Sequence, residues 1–373
     1  MSSNSIWKSA FGIAALTLAA AAQAGSNGVK VDVALDKAAL GPSDDVYVKV
    51  TITNTSSTPQ YVLKARTPFE GLSAPLFDVT RDGAKVAYTG ALIKRGKPTQ
   101  ADYYLLKPGA SHTVKVELSS LYDMSVSGDY AISYRTASPD LFLAIDKGGA
   151  TARAVADKAA AHDIGELQSQ AAQVYIEGRL PRGAESPIMQ ALKQGHAGGG
   201  MATTQGLSYA SCTASQQSTI ASAIAAAKTM SNSSVTYMAK TSMGPRYTKW
   251  FGAVNSSRVA TVKANYSKIK NAFDNQNVVV DCSCKDSYYA YVYPTQPYRI
   301  YVCNAFWSAP MSGTDSKGGT LVHEMSHFDI IANTDDNVYG QSGAASLAIS
   351  NPAAAVRNAD NHEYFAENSP ALN

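Results

Sequence analysis

The sequence predicts two domains of different class: an N-terminal all-β sandwich, Ig-like in its strand spacing, and a C-terminal domain that is mainly α with a small β region. Three observations predict this. Apolar and polar residues alternate with period two from Val29 to about Thr136, helical spacing and Ala-rich runs dominate after Leu207, and a Gly-rich stretch lies between. A length of 373 residues also favours two domains over one.

The first residues read as a leader, outside either domain. Lys8 precedes an apolar, Ala-rich run from Ala10 to Ala22, and Ala22-Gln23-Ala24 has the small-x-small form of a cleavage site. A signal peptide over 1–24, cut after Ala24, is therefore expected, with the mature chain secreted. No later stretch approaches the roughly 18 apolar residues of a membrane span, so no membrane association is expected.

The sandwich is expected over 25–180. Val29-Lys30-Val31-Asp32-Val33, Val46 to Ile52, His112 to Leu118 and Tyr130 to Tyr134 alternate strictly. Gly41-Pro42-Ser43, Asn54 to Ser57, Arg81-Asp82-Gly83 and Lys107-Pro108-Gly109 supply the turns. Such strands bury one face and wet the other. Ala152 to Ala172, rich in Ala and Gln, suits a helical tail, and Val174 to Glu177 suits one last strand. Over 181–205, Pro181, Gly183, Gly195 and Gly198-Gly199-Gly200 read as an accessible linker.

The second domain is expected over 206–373. Ser218 to Met230 is Ala-rich, and Val259, Val262, Tyr266, Ile269 and Phe273 recur at helical spacing. Val278-Val279-Val280, Tyr289 to Tyr293 and Arg299 to Val302 form the small β region. All four cysteines, Cys212, Cys282, Cys284 and Cys303, lie in this half. In an exported chain an even number reads as disulfides, with three pairings possible, and the spacing is poor for a zinc knot. A net charge of +3, with no run of five basic residues, gives no nucleic-acid footprint.

The run Thr320-Leu321-Val322-His323-Glu324-Met325-Ser326-His327-Phe328 carries the chemistry. His-Glu-x-x-His on a helix stacks two imidazoles on one face, both within reach of one metal, with Glu324 beside them as a general base. A catalytic zinc takes three protein ligands and keeps one position open. No third histidine follows at close spacing. Asp329 would face away from the metal, whereas Asp335 and Asp336 follow the polar turn Asn333-Thr334, where the chain can fold back under the helix.

His323-Glu324-x-x-His327, followed by Thr334, Asp336, Tyr339 and Gly340, resembles the aspzincins, the family of deuterolysin and peptidyl-Lys metalloendopeptidase. Their second motif reads Gly-Thr-x-Asp-x-x-Tyr-Gly; here Asn333 replaces the first Gly, and Asn tolerates a left-handed backbone. The resemblance covers about Ser211 to Pro370 and implies a zincin-type metalloprotease domain. It implies Asp336 as third zinc ligand, Tyr339 as oxyanion-stabilising hydroxyl, and the pairs Cys212–Cys282 and Cys284–Cys303. It also implies that Asp360 and Glu363 line a pocket for lysine after the scissile bond, and a carboxylate floor suits an ammonium. The whole chain is similar to secreted bacterial aspzincin exotoxins made as pre-pro-proteins.

The expectation is a secreted endopeptidase acting on proteins, with one Zn2+ per chain. The sandwich would be a prodomain inhibiting within the same chain, and 181–205 the activation linker. Leu192-Lys193 is the linker bond that such an enzyme would cut in itself. Two other readings are an adhesion or binding protein with a structural zinc, and an active protease with a permanent accessory sandwich.

Overall fold

The computed structural model describes residues 26–143, 164–193 and 206–373. The expected leader, the first part of the Ala/Gln-rich tail and the Gly198-Gly199-Gly200 triplet lie outside them.

The N-terminal part is β-rich. Val29–Ala34, Tyr47–Asn54 and Ser111–Glu117 form a three-stranded antiparallel sheet, with Val31 opposite Ile52 and Val50 opposite Val114. The alternation puts Val48, Val50 and Ile52 on one fully buried face. A six-stranded sheet is built round the long strand Gly128–Ser138, whose Tyr130, Ile132 and Tyr134 are buried in turn. Side chains of both sheets meet in a single apolar cluster.

The described part of the tail departs from the expected helix at Gly165–Gln168, which is a strand, while the expected last strand is present as Ala172–Ile176. They pair with Gly128–Ser138 at Arg135↔Gln168 and Ile132↔Ala172. The long strand offers unpaired backbone groups there, and filling that ladder outweighs a weak helical propensity. Within the expected linker, Pro187–Lys193 is a short helix, so Leu192-Lys193 stands at a helix end rather than in extended chain.

The C-terminal part is mainly α. Thr213 and Gln216 form a capping box on Ala214–Met238, and the Asn255 side chain caps Ser256–Asn275. Both helices pack around the short helix Lys317–His327, every residue of which is buried. Close approach is possible because Gly318 and Gly319 lack side chains: a Cβ on Gly318 would meet the Ala226 Cβ at 2.9 Å. Cys212–Cys282 and Cys284–Cys303 are bonded and tie strand ends to the helical layer.

A five-stranded sheet joins the two parts. Its order is Gly206–Ala210, Asn277–Asp281, Arg299–Val302, Ala290–Val292 and then Leu92–Lys94, contributed by the N-terminal part. Leu92–Lys94 runs antiparallel to Ala290–Val292, with Lys94 opposite Ala290 and Ile93 opposite Tyr291.

Candidate active site

His323 and His327 lie one helical turn apart on Lys317–His327, and their Nε2 atoms are 3.1 Å apart. The helix ends at Phe328, which turns to φ −57°, ψ 131°. Asn333 then adopts the left-handed φ of 49° that a Gly would take in the related motif, and the chain folds back. This brings Asp336 Oδ1 to 3.1 Å from His323 Nε2 and 3.4 Å from His327 Nε2. Tetrahedral zinc with bonds of about 2.0–2.1 Å separates its donors by roughly 3.3–3.4 Å. The three buried donor atoms therefore fit one zinc ion, and two imidazoles with one carboxylate are a donor set it accepts.

Neighbouring groups fix these donors. His327 Nδ1 donates to the Thr334 carbonyl at 2.8 Å, which directs Nε2 toward the metal position. Thr334 Oγ1 is 2.6 Å from Ser326 Oγ, tying the turn to the helix. Asn358 Oδ1 accepts from the backbone N–H of Asn337 at 2.8 Å and of Val338 at 3.1 Å, pinning the loop just past Asp336. His323 Nδ1 lies 2.9 Å from Asp360 Oδ1 and 3.2 Å from Glu363 Oε2. No partner of hydrogen-bonding geometry is present for His323 Nδ1 among the described residues, so these are close polar contacts.

Burial alone would raise the Asp336 carboxyl, but the His327 and His323 rings outweigh it and hold the group well below the carboxylate range. Glu324 is wholly buried, and neither of its oxygens has a hydrogen-bond partner among the described residues. Burial pushes its carboxyl up to about 7, near where a general base works best.

Asp360 and Glu363 lie on one face of Ala359–Glu367, both buried. Between them sits a lysine from the distant N-terminal part. Lys94 Nζ is 2.5 Å from Glu363 Oε2 and 3.4 Å from Asp360 Oδ1, and all three side chains are at most 1% exposed. Burial would lower the ammonium's pKa, yet the Asp360 and Glu363 charges hold it well above its ordinary value. One residue earlier, the Ile93 carbonyl accepts a 2.8 Å hydrogen bond from the Tyr339 hydroxyl. Arg66, also N-terminal, donates to the backbone carbonyls of Asp336 and Asn337.

All seven candidate residues thus meet in one buried cleft. Lys94, Ile93 and Arg66 escaped the sequence reading because they lie more than 200 positions before their partners. A usable signal was present: Ile93-Lys94 is an X-Lys bond in apolar chain, flanked by Gly90 and Gly96. Thr334 and Asn358 act through backbone and amide groups, which no chemical motif marks.

Residues 236–367 match the family described as lysine-specific metallo-endopeptidase. An extracellular protease of Aeromonas hydrophila is 44% identical over 335 residues, covering 89% of this chain and 91% of that protein. A peptidyl-Lys metalloendopeptidase of Armillaria mellea is 38% identical over 345 residues, covering 88% of each. Among solved structures, a zinc peptidase from Grifola frondosa is 47% identical with a TM-score of 0.42; the match covers 43% of this chain and all of that one.

Proposed function

The chain belongs to the aspzincin family of metallo-endopeptidases, and on that premise we propose that it is secreted as a zymogen and cuts proteins on the amino side of lysine. Residues 1–24 are the leader, 25–180 the prodomain, 181–205 the activation linker and 206–373 the catalytic domain. Among the described residues, no helix is long and apolar enough to cross a membrane, which is consistent with export.

His323, His327 and Asp336 hold one zinc ion per chain. Zinc bound there supplies Lewis acidity, polarising a peptide carbonyl and acidifying nearby water. Glu324, buried beside the two histidines, takes a proton from the attacking water and passes it to the leaving amine. Tyr339 donates its hydroxyl to the scissile carbonyl oxygen as charge develops there. Asp360 and Glu363 receive the ammonium of the residue after the scissile bond and so set its identity.

The observation that carries this reading is Lys94, seated between Asp360 and Glu363 while the Ile93 carbonyl meets Tyr339. A cleft filled by its own N-terminal part supports an inhibitory prodomain over a permanent accessory domain. Two variants test it. Glu324→Gln should keep its fold and zinc yet lose turnover, and turnover at the parent rate would contradict the assignment. Glu324→Ala should persist as full-length exported precursor; if it matures at the parent rate, another protease does the cutting.

A further inference from the structure

We propose that Ile93–Lys94 is the first peptide bond this enzyme hydrolyses, cut within its own precursor before any bond of the linker. The inference rests on the lysine-selecting protease described above and adds the identity of its first substrate.

Leu92–Lys94 lies in the cleft as a bound peptide would. It adds an antiparallel strand beside Ala290–Val292, so main-chain pairing holds it irrespective of side chains. The Tyr289 N–H donates to the Lys94 carbonyl at 3.1 Å, extending that pairing past the lysine. On the other side of the bond, the Ile93 carbonyl meets the Tyr339 hydroxyl. Lys94 fills the acidic pair, and Arg95 stacks on Tyr288 with its guanidinium carbon 4.4 Å from the ring centroid. The peptide bond between Ile93 and Lys94 is therefore flanked by the hydroxyl that polarises its carbonyl and by the pocket that reads the next side chain. An inhibitor that merely blocked the cleft would not need that register.

The competing bond is worse placed. Leu192–Lys193 ends the helix Pro187–Lys193, and a strand-pairing cleft takes extended backbone. At Ile93–Lys94 the chemistry balances as simple hydrolysis. Water adds to the Ile93 carbonyl carbon and the C–N bond to Lys94 breaks. Ile93 keeps a carboxyl, and Lys94 leaves with a free amine. The cut severs the strand by which the N-terminal part joins the C-terminal sheet, which loosens the prodomain and opens the cleft.

The test uses the full-length precursor isolated in chelator, started with zinc and sampled by mass spectrometry for new N-termini. The first to appear should be Lys94, with a half-life unchanged on tenfold dilution, since the reaction is intramolecular. Lys94→Gln should slow this cut at least about tenfold, the loss that follows from removing one partner of a buried charge pair. A synthetic peptide spanning residues 88–96, whose one lysine is Lys94, gives a readout independent of precursor folding: mature enzyme should split it between Ile93 and Lys94. A first new N-terminus at Lys193 with Ile93–Lys94 intact would overturn the inference, as would a half-life that lengthens in proportion to dilution or an uncut peptide. A digest of a denatured protein by mature enzyme separates the two levels. Cuts before lysine there, with Ile93–Lys94 intact in the precursor, defeat this inference alone. No preference for lysine defeats the underlying reading.

Discussion

His327 Nδ1 donates to the main-chain carbonyl of Thr334 at 2.8 Å, a bond that links one imidazole of the proposed zinc site to the turn carrying Asp336. The helix and the turn are thus one device. The bond fixes the ring tautomer, and the turn delivers the third donor to 3.1–3.4 Å from both Nε2 atoms.

Replacing Asp336 with Ala should therefore abolish zinc binding and lower kcat/KM by more than about a hundredfold, since changes one shell further out already cost about 10–100-fold. Asp335→Ala should keep most of both, because Asp335 serves through its backbone, bridging Arg357 and Ala359. Zinc content by elemental analysis checks this. Demetallation by Asp335→Ala and not by Asp336→Ala would show that the ligand is misassigned.

Glu363→Gln should weaken selection of lysine while leaving metal bound. Glu363 makes the closer contact to the Lys94 ammonium, and neutralising it removes charge without removing volume. The ratio of kcat/KM for a lysine substrate over its leucine analogue should fall at least about tenfold, with the effect mainly in KM. An unchanged ratio would remove Glu363 from the pocket.

The motif regions were the most legible part of this molecule. His323, Glu324, His327 and Asp336 lie within 14 consecutive positions, so helix periodicity and one turn bring them together. The long helices were legible from Ile269, Phe273 and their neighbours, which all face one core. What the sequence hid depends on distant pairing. Leu92, Ile93 and Lys94 are all buried, so no alternation marks them as a strand, and their partner Ala290–Val292 comes nearly 200 residues later. Gly165–Gln168 likewise has no strand pattern of its own; the open side of Gly128–Ser138 recruits it.

Acid should destabilise the catalytic part through His362. Burial depresses its pKa to about 4, and the neutral ring is held between Asn265 and the Asn358 carbonyl. Between that value and about 6.5 the unfolded chain binds the proton and the folded one does not, so stability rises with pH. The contribution is full above about 6.5 and is lost as pH falls toward 4, by roughly 3 kcal/mol. His362→Gln should flatten the fall in Tm across that window relative to the parent. Equal pH slopes for the two would contradict this.

Two glycine substitutions should differ in effect, one destabilising and the other not. A Cβ on Gly319 would collide with the carboxylate of Glu367, which is anchored on the Ser316 N–H at 2.8 Å and hydroxyl at 2.7 Å. Gly319→Ala should cost about 1–3 kcal/mol despite the better helix propensity of Ala. Gly343, inside Gly340–Ser350, would meet only Val338, at 3.4 Å, and Gly343→Ala should be neutral or stabilising by up to about 1 kcal/mol. Denaturant melts of both variants check the pair, and a Gly319→Ala protein as stable as the parent would contradict the packing described.

The most direct measurement is the map of bonds cut when mature enzyme digests an unfolded protein of known sequence, with product ends read by mass spectrometry. A buried pair of carboxylates beside the proposed zinc donors, occupied here by Lys94, predicts new N-termini that are overwhelmingly lysine, with the metal-chelated control inert. Product N-termini spread evenly over lysine, leucine and other residues would contradict the account.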